Sequence, residues 1–289
     1  MMKSQLHRKE SIFAILFILI PVIGFFIFTF ASLLFSGYFS LTNFNPIRID
    51  YRFIGFENYL TLLNDKYFLE AVFNTFFMML SIPISMFLGL LLAVYLRRSF
   101  KANKLIRVLY YLPVVSSVVA VNVVWRYILN GENGVLNHLL GINVQWLGNS
   151  VWPIKFAIIM KSVWGSLGVV MILYLAGLQN IPRSLYESAD IDGANAIQKF
   201  VHITVPLLSP VSFYVLITAM IGALQSFADA QILADGNPAA RTIVYYIWSK
   251  GIDQNRYGVA SAASILLGVL IMTITIIQFK RSKRWVFEG

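Results

Sequence analysis

The segment Gln179–Pro206 reads QNIPRSLYESADIDGANAIQKFVHITVP and separates two apolar stretches of the chain. Pro182 and Ser184 are typical of a helix start, and Gly193 ends or kinks that helix because glycine adopts turn conformations readily. A second short helix over Ala194–Ile203 follows before two prolines turn the chain. The sequence therefore predicts a helix-turn-helix between the two apolar stretches.

Six apolar stretches surround this segment, and a helix needs about 20 such residues to cross a hydrocarbon core. They are Ser11–Phe35, Ala71–Leu96, Val108–Ile128, Trp152–Leu178, Leu207–Leu233 and Val259–Phe279. Asn122 and Arg126 interrupt the third stretch, and Pro21 is a candidate bend in the first. The predicted fold class is an all-α membrane protein with six transmembrane helices.

The composition excludes several classes of protein. Apolar residues form 58% of the 289 residues and charged residues 12%, whereas a soluble domain has roughly 45–50% and about 25%. A soluble enzyme and a disordered chain are therefore excluded, and lipid is the predicted surroundings. Without cysteine there is no disulfide or thiolate metal site, and His7, His138 and His202 lie far apart, so we predict no metal site.

The basic residues predict an orientation, because Lys and Arg collect on the cytoplasmic side of a membrane. Most of the 23 Lys and Arg residues fall on one side of the six stretches. That side holds Lys3, Arg8, Lys9, Arg97, Arg98, Lys101, Lys104, Arg107, Arg183, Lys199, Lys280, Arg281, Lys283 and Arg284. Both termini are thus predicted to be cytoplasmic, with 129–151 outside and tryptophans 125, 146, 152 and 248 as an outer aromatic belt. The net charge of +10 is read as this asymmetry, not as a nucleic-acid surface.

The first stretch is predicted to be a retained helix. Its apolar run is longer than the roughly 7–15 residues of a signal-peptide core, and no A-x-A cleavage site follows it. We divide the chain into residues 1–35, a cytoplasmic tail with the first helix; 36–70, an extracellular segment; and 71–289, the core.

Small residues at a spacing of four predict where helices approach closely in lipid. The second stretch carries Ser85, Gly89 and Ala93, and the sixth carries Ala260, Ser264 and Gly268; the fourth carries Gly165 and Gly168. We expect these stripes to pack against other helices of this chain, with a subunit interface as the alternative.

The segment 179–206 resembles the EAA loop of ATP-binding-cassette importer permeases. The pattern of that loop is E-A-A, three residues, G, nine residues and I-x-L-P, and it matches Glu187-Ser188-Ala189, Gly193, Ile203 and Pro206. The surrounding Leu175-Ala-Gly-Leu-Gln-Asn-Ile-Pro182 and Asp192-Gly-Ala194 resemble the carbohydrate branch, the maltose-type and multiple-sugar permeases.

Further matches to that branch fall in order along residues 70–280. They are Asn74-Thr75, Arg107, Leu112-Pro113, Trp125, Gly134, Asn137, Trp164, Gly258, Ala260 and Ala262. The chain departs from the pattern at Ser188, which replaces the middle Ala, and at Leu233-Ala-Asp-Gly-Asn-Pro238, where the family has L-T-x-G-G-P.

The resemblance implies a type I importer permease fold and an assembly of several subunits. Its partners would be a second permease, two ATP-binding-cassette ATPases and an extracellular sugar-binding protein. The chain lacks a G-x-x-x-x-G-K-[ST] motif, so ATP and Mg would be used by the partner ATPase, and this chain would bind no cofactor. The ATPase-coupling residues implied are Tyr186, Glu187, Ser188, Ala189, Asp192, Gly193 and Ala194.

Polar residues within apolar stretches are candidates for a substrate path. Lys161 lies deep in the fourth stretch on the same helical face as Trp164, and Gln225, Ser226 and Asp229 are assigned one face of the fifth. Lys161 either pairs with Asp229, bonds a helix carbonyl or meets the substrate. The predicted path residues are Ser117, Asn122, Trp125, Lys161, Ser162, Gln225, Ser226 and Asp229.

The function implied is the permease subunit of an ATP-driven importer for a sugar or oligosaccharide in the bacterial plasma membrane. Glycerol-phosphate or another polyol is the alternative cargo, since Lys161 could meet an anion. A secondary transporter is a remote alternative, because it would need a carboxylate within the membrane, and no Asp or Glu lies unambiguously inside a stretch. A membrane enzyme is disfavoured because no nucleophile–base pair stands out.

Overall fold

The computed structural model describes residues 15–48, 51–97 and 102–287, which are mostly helical. Their β pairing is limited to an isolated bridge between Thr42 and Phe53, so the predicted all-α class is confirmed. The helices are α1 (Ile15–Ser40), α2 (Glu57–Asn64), α3 (Lys66–Met78), α4 (Ser81–Leu96), α5 (Asn103–Val115), α6 (Val118–Ile128), α7 (Val135–Leu140), α8 (Val151–Gln179), α9 (Arg183–Ile191), α10 (Ala196–Leu207), α11 (Ser209–Leu224), α12 (Ile243–Trp248) and α13 (Tyr257–Ser282).

Four segments among the described residues are single helices long and apolar enough to cross a membrane. They are α1, the Lys66–Leu96 segment that contains α3 and α4, α8 and α13. They correspond to the first, second, fourth and sixth predicted stretches. Ser11 itself lies outside the described residues, and α1 runs through Pro21 and contains a π-helical turn at Phe26–Phe30.

The third predicted stretch is not one continuous helix. α5 and α6 meet at an angle of 105°, because Ser116 and Ser117 between them adopt extended backbone angles. Pro113 lacks the N–H that would continue the helical ladder just before this break, and Ser116 Oγ donates to the Leu112 carbonyl oxygen at 2.8 Å. A run of apolar residues indicates burial in lipid but not a change of direction, so the sequence prediction of one helix over Val108–Ile128 missed this break.

The fifth predicted stretch is also broken. α10 and α11 meet at 63° around Leu208, and α11 ends at Leu224. A π-helical turn, Asp229–Leu233, follows after a short non-helical link. The prediction that Gln225, Ser226 and Asp229 share one helical face was therefore wrong, since the chain has left the helix before it reaches them.

The described residues up to Asn64 and the segment Ile247–Leu266 form one compact unit. Asn58 on α2 is buried and donates its side-chain amide to the carbonyl oxygens of Ser40 and Thr42, each at 2.8 Å. At the start of α13, a Cβ on Gly258 would lie 2.1 Å from the Thr42 carbonyl oxygen. A glycine is required there because the two backbones approach so closely.

The second compact unit comprises Asp65–Tyr246 and the chain from Leu267 onward. Its core is the contact between α4 and α8, where a Cβ on Gly89 would lie 2.5 Å from Val170 Cγ1. Ser85 and Ala93 are buried on either side of Gly89. The predicted small-residue stripe of α4 is thus confirmed as a packing surface within this chain.

The other predicted stripes have a mixed outcome. A Cβ on Gly168 would lie 2.2 Å from the Tyr110 carbonyl oxygen, so this glycine lets α5 approach α8. Added Cβ atoms on Gly165 and Gly268 would meet no atom within 4 Å. Close packing within this chain therefore accounts for Gly168 but for neither of the other two glycines.

The structure describes some of the basic residues and tryptophans from which the orientation and the aromatic belt were predicted. Of the basic residues used for orientation, Lys3, Arg8, Lys9, Arg98 and Lys101 lie outside the described residues, as does His7. Trp152 is exposed, whereas Trp125 is buried and its ring centroid lies 5.6 Å from that of Trp164. Packing against Trp164 accounts for Trp125, so its assignment to an outer belt was wrong.

Candidate functional site

The first candidate site is the predicted helix-turn-helix, which we call the loop motif and define as residues 182–207. Its first helix, α9, begins directly after Pro182, which agrees with the start signal in the sequence. α9 ends at Ile191, and Gly193 follows with φ +77°. Backbone bonds from Gly193 N to Asp190 O (3.1 Å) and from Ala194 N to Ala189 O (2.9 Å) close the turn.

Gly193 is required by this turn because its φ lies in the left-handed region, which side chains with a Cβ rarely adopt. Asn195 then caps the next helix: its side chain accepts from Gln198 N at 2.9 Å, and Gln198 Oε1 accepts from Asn195 N at 2.7 Å. This reciprocal capping box fixes where α10 begins.

The second helix of the loop motif is longer than predicted. α10 runs from Ala196 to Leu207 and includes Pro206, whereas the sequence placed its end at Ile203. A π-helical turn at Phe200–Thr204 precedes the proline. The wider turn lets the helix continue through a residue that cannot donate a backbone hydrogen bond.

The loop motif has an anchored side and a free side. On the anchored side, Tyr186 packs against the buried core cluster, its hydroxyl lies 2.9 Å from Thr204 Oγ1, and Arg97 stacks 4.8 Å from its ring centroid. Glu187 is exposed on the free side, and no ion-pair partner for it occurs among the described residues. The free side therefore carries a carboxylate that the described residues leave without an ion-pair partner.

Apolar side chains accompany that carboxylate. Ile191 is 87% exposed and Ile197 is 74% exposed, at the end of α9 and the start of α10. Exposed apolar residues beside an unpaired charge are typical of a surface that another protein covers. Ser188 and Asp192 are exposed beside them, and Ala189 and Ala194 are half-buried at the turn.

The second candidate site is a cavity of about 390 Å³ inside the second unit. Its walls come from α3, α4, the break between α5 and α6, α8, α11 and the segment after α11. Small hydroxyl side chains dominate its polar lining. The polar residues that line it are Thr75, Ser81, Ser85, Ser116, Lys161, Ser162, Ser166, Ser226, Asp229 and Thr242.

An ion pair lies in the wall of this cavity. Lys161 Nζ donates to Asp229 Oδ1 at 2.5 Å, and both side chains are 12% exposed. Ser162 Oγ lies 3.5 Å from the other carboxylate oxygen. Charges that lie among apolar helices are stable only when they are paired, and here the pair joins α8 to the π-helical turn. The sequence left the partner of Lys161 open, and the structure shows that it is Asp229.

Comparison with known proteins identifies the family of the chain that contains this loop motif and cavity. Residues 85–286 match the family described as binding-protein-dependent transport system inner membrane component. The chain belongs to this family. The matched range includes the whole loop motif, the ion pair and most of the cavity wall, so the resemblance predicted from the sequence is confirmed.

Relatives of this chain match along nearly all of its length. The probable ABC transporter permease protein YesP of Bacillus subtilis is 33% identical and covers 99% of this chain and 95% of its own. The arabinooligosaccharides transport system permease protein AraP of Bacillus subtilis is 32% identical and covers 95% of this chain and 86% of its own.

A solved structure resembles the whole chain as well. It is a crystal structure of a bacterial ABC transporter involved in the import of the acidic polysaccharide alginate. One of its chains has a TM-score of 0.83 and 26% identity, covering 97% of this chain and 98% of that chain. A second structure of the alginate transporter, in complex with a periplasmic protein bound to an alginate pentasaccharide, has a TM-score of 0.84.

The cavity of this chain contains only part of the predicted substrate path. Lys161, Ser162, Ser226 and Asp229 line it together, whereas Ser117, Asn122, Trp125 and Gln225 do not. Ser117 and Gln225 are exposed at helix ends, and Trp125 packs on Trp164. The apolar pattern of the sequence contains no signal for the helix breaks, so it could not show which of these residues line the cavity.

Asn122 is a distinct case among the residues outside the cavity. It is fully buried on α6, and neither its side-chain oxygen nor its nitrogen has a hydrogen-bond partner among the described residues. A buried amide without partners is costly, and no feature of the described structure accounts for it.

Several hydroxyl residues of the cavity were missed by the sequence interpretation. They are Thr75, Ser81, Ser85, Ser166 and Thr242. Two of them had been noted for other reasons: Thr75 as a match to the carbohydrate branch, and Ser85 as a member of a small-residue stripe. Those patterns were the sequence signals available for these two residues. Groups of three or more His, Asp or Glu residues that could hold a metal ion are absent from the described part of the chain.

Proposed function

We propose that this chain is the permease subunit of an ATP-driven importer that moves a sugar or oligosaccharide across the bacterial plasma membrane. The observation that carries the proposal is the loop motif, an exposed helix-turn-helix whose Glu187 has no ion-pair partner among the described residues. Support for the cargo comes from the relatives, whose names refer to arabinooligosaccharides and to alginate.

The cavity supports the cargo class on physical grounds. Ligand pockets that bind sugars combine apolar surface with a few convergent polar groups. This cavity has hydroxyl residues from several helices beside apolar side chains such as Met78, Ile82 and Ile158. A saccharide ring offers both apolar faces and hydroxyl groups to such a lining.

We propose that the chain crosses the membrane six times with both termini in the cytoplasm, as a type I importer permease. The candidate spans number 4, or up to 6 when each bent helix pair is one span. In the described part of the proposed cytoplasmic side, Arg97, Lys104, Arg107 and Arg183 lie near the ends of apolar helices. That distribution agrees with the preference of basic residues for the cytoplasm.

The loop motif would contact the ATPase subunits that drive transport. Two ATP-binding-cassette ATPases would bind and hydrolyse ATP with Mg, one of them against Glu187, Ile191 and Ile197. Because the anchored side of the loop motif packs on the core, movement of the ATPase would be transmitted to α8 and α11 as a rigid-body motion. This chain would itself hold no nucleotide and catalyse no reaction.

The remaining partners would complete the path. A second permease subunit would supply the other half of the translocation cavity, most simply as a heterodimer. A sugar-binding protein outside the membrane would deliver the cargo, in agreement with the family description and with the alginate transporter in complex with its periplasmic protein.

The test is reconstitution of the complete complex in proteoliposomes. Saccharides presented with the binding protein are screened for stimulation of ATP hydrolysis. Uptake into the vesicles is then measured for each saccharide that stimulates hydrolysis, in labelled form. Uptake that needs both ATP and the binding protein is expected. Absence of stimulation by every saccharide in the screen would remove the proposed function.

A further inference from the structure

The cavity contains one cation and one anion, and they neutralise each other. Lys161 and Asp229 are the charged residues among the described side chains that line it, and their charged atoms are 2.5 Å apart. An ammonium group held by a carboxylate offers a second anion only a dipole, and the carboxylate repels it. The lining therefore has no net attraction for a negatively charged cargo.

The hydroxyl groups of the cavity reinforce this property. Most of them already donate their proton to a backbone carbonyl of their own helix or of a neighbouring segment. The bonds run from Thr75 to Ala71 (2.8 Å), Ser85 to Ile82 (2.9 Å), Ser116 to Leu112 (2.8 Å), Ser166 to Val163 (3.1 Å) and Thr242 to Ser226 (2.6 Å).

A hydroxyl that has donated its proton keeps its role as an acceptor. These walls consequently present mainly oxygen lone pairs to the cavity. Saccharide hydroxyl groups can donate to such oxygens, whereas a carboxylate or phosphate is only an acceptor and finds few hydroxyl protons to bind. The hydrogen-bond pattern and the charge pattern thus favour the same class of cargo.

We infer that Asp229 is a specificity-determining residue: by neutralising Lys161 it restricts this chain to uncharged saccharides and excludes uronates and sugar phosphates. The inference rests on the proposed function and refines its substrate class. It separates this chain from the alginate transporter, whose fold it shares, because a shared fold does not determine the charge of a cavity.

The test uses the purified complex without its binding protein, so that the selectivity of the binding protein does not contribute. Equilibrium binding is measured for trigalacturonate, an acidic trisaccharide, and for maltotriose, a neutral probe of the same length. Asp229→Asn frees the lysine and is expected to raise the affinity for trigalacturonate by about tenfold or more, the size of a charge-assisted hydrogen bond. The affinity for maltotriose should not rise.

The matched control is the double variant Lys161→Gln/Asp229→Asn, which removes both charges and keeps groups that can hydrogen-bond. It should lose the gain in trigalacturonate affinity while folding at least as well as Asp229→Asn, judged by thermal unfolding in detergent, because it leaves no charge unpaired. If the unmodified complex binds trigalacturonate with an affinity that Asp229→Asn does not raise, the inference is overturned. It is also overturned if the double variant keeps the gain.

Failure of this inference can be distinguished from failure of the proposed function. A failed saccharide screen in proteoliposomes would reject the sugar importer but leave the trigalacturonate result interpretable. A missing gain in Asp229→Asn would reject the charge selection even if a saccharide stimulates ATP hydrolysis.

Discussion

The loop motif and the cavity differ in how the chain builds them. The loop motif is one contiguous segment whose free side is exposed, with a turn fixed by Gly193. The cavity is assembled from segments that are far apart in sequence, and its decisive contact joins Lys161 to Asp229 across 68 positions. A surface that meets another protein can be formed by a local pattern, whereas an interior that meets a substrate depends on the directions of several helices.

The largest effect is expected from a substitution that disrupts the loop motif and leaves the cavity unchanged. Glu187→Lys should reduce ATP-dependent uptake by about tenfold or more, because a charge reversal facing a partner costs several kcal/mol. Membrane insertion and thermal stability should stay unchanged, since Glu187 is exposed and unpaired in the described structure. Uptake and co-purification with the ATPase are the measurements.

Glu132→Lys is the matched control for that variant. Glu132 is also exposed, and it lies outside the loop motif, so the same change of charge should leave uptake near the unmodified level. Equal losses in both variants would show that net charge, and not the loop motif, is responsible.

The next largest effect is expected from a substitution that disrupts the ion pair in the cavity wall and leaves the loop motif unchanged. Lys161→Met leaves Asp229 without its cation, and removal of one partner from a buried pair costs about 3–5 kcal/mol. We expect a loss at or below the low end of that range, because both side chains are 12% exposed. Thermal unfolding of the solubilised chain measures it.

Lys161→Gln/Asp229→Asn should recover much of that stability, because no charge is left unpaired. If the two substitutions instead cause equal and additive losses, the pair does not stabilise the fold.

The sequence gives unequal information about these two regions, for physical reasons. Hydropathy predicted α8 and α13 to within a few residues, since lipid demands a long apolar run. The loop motif could be predicted because its start, turn and residue spacing are all local. Hydropathy depends on composition and not on chain direction, so it did not predict the 105° break before α6 or that Trp125 and Asn122 lie outside the lining of the cavity.

A smaller effect concerns the close approach that shapes the cavity wall. Gly168→Ala places a Cβ 2.2 Å from the Tyr110 carbonyl oxygen, and overpacking of this kind typically costs about 1–3 kcal/mol. Gly165→Ala, three residues earlier on α8, is the control because its Cβ meets no atom within 4 Å. Gly168→Ala should unfold at a lower temperature than Gly165→Ala. Equal unfolding temperatures would contradict the observed packing of α5 on α8.

The smallest effect tests the turn of the loop motif. Gly193→Val forces a branched side chain into φ +77° and should cost about 1–2 kcal/mol. Gly193→Asn should cost less, because Asn tolerates the left-handed region. Hydrogen exchange of α9 and α10 should increase for Val more than for Asn. The same exchange in both variants would mean that the turn does not hold the two helices.

The most direct test of the whole account compares two energy sources in proteoliposomes that contain the complete complex. Uptake of a stimulating saccharide is measured with ATP on the side of the ATPases, and separately with a proton or sodium gradient and no ATP. The account predicts uptake with ATP alone, abolished by Glu187→Lys. Uptake driven by an ion gradient without ATP, and unaffected by Glu187→Lys, would contradict it.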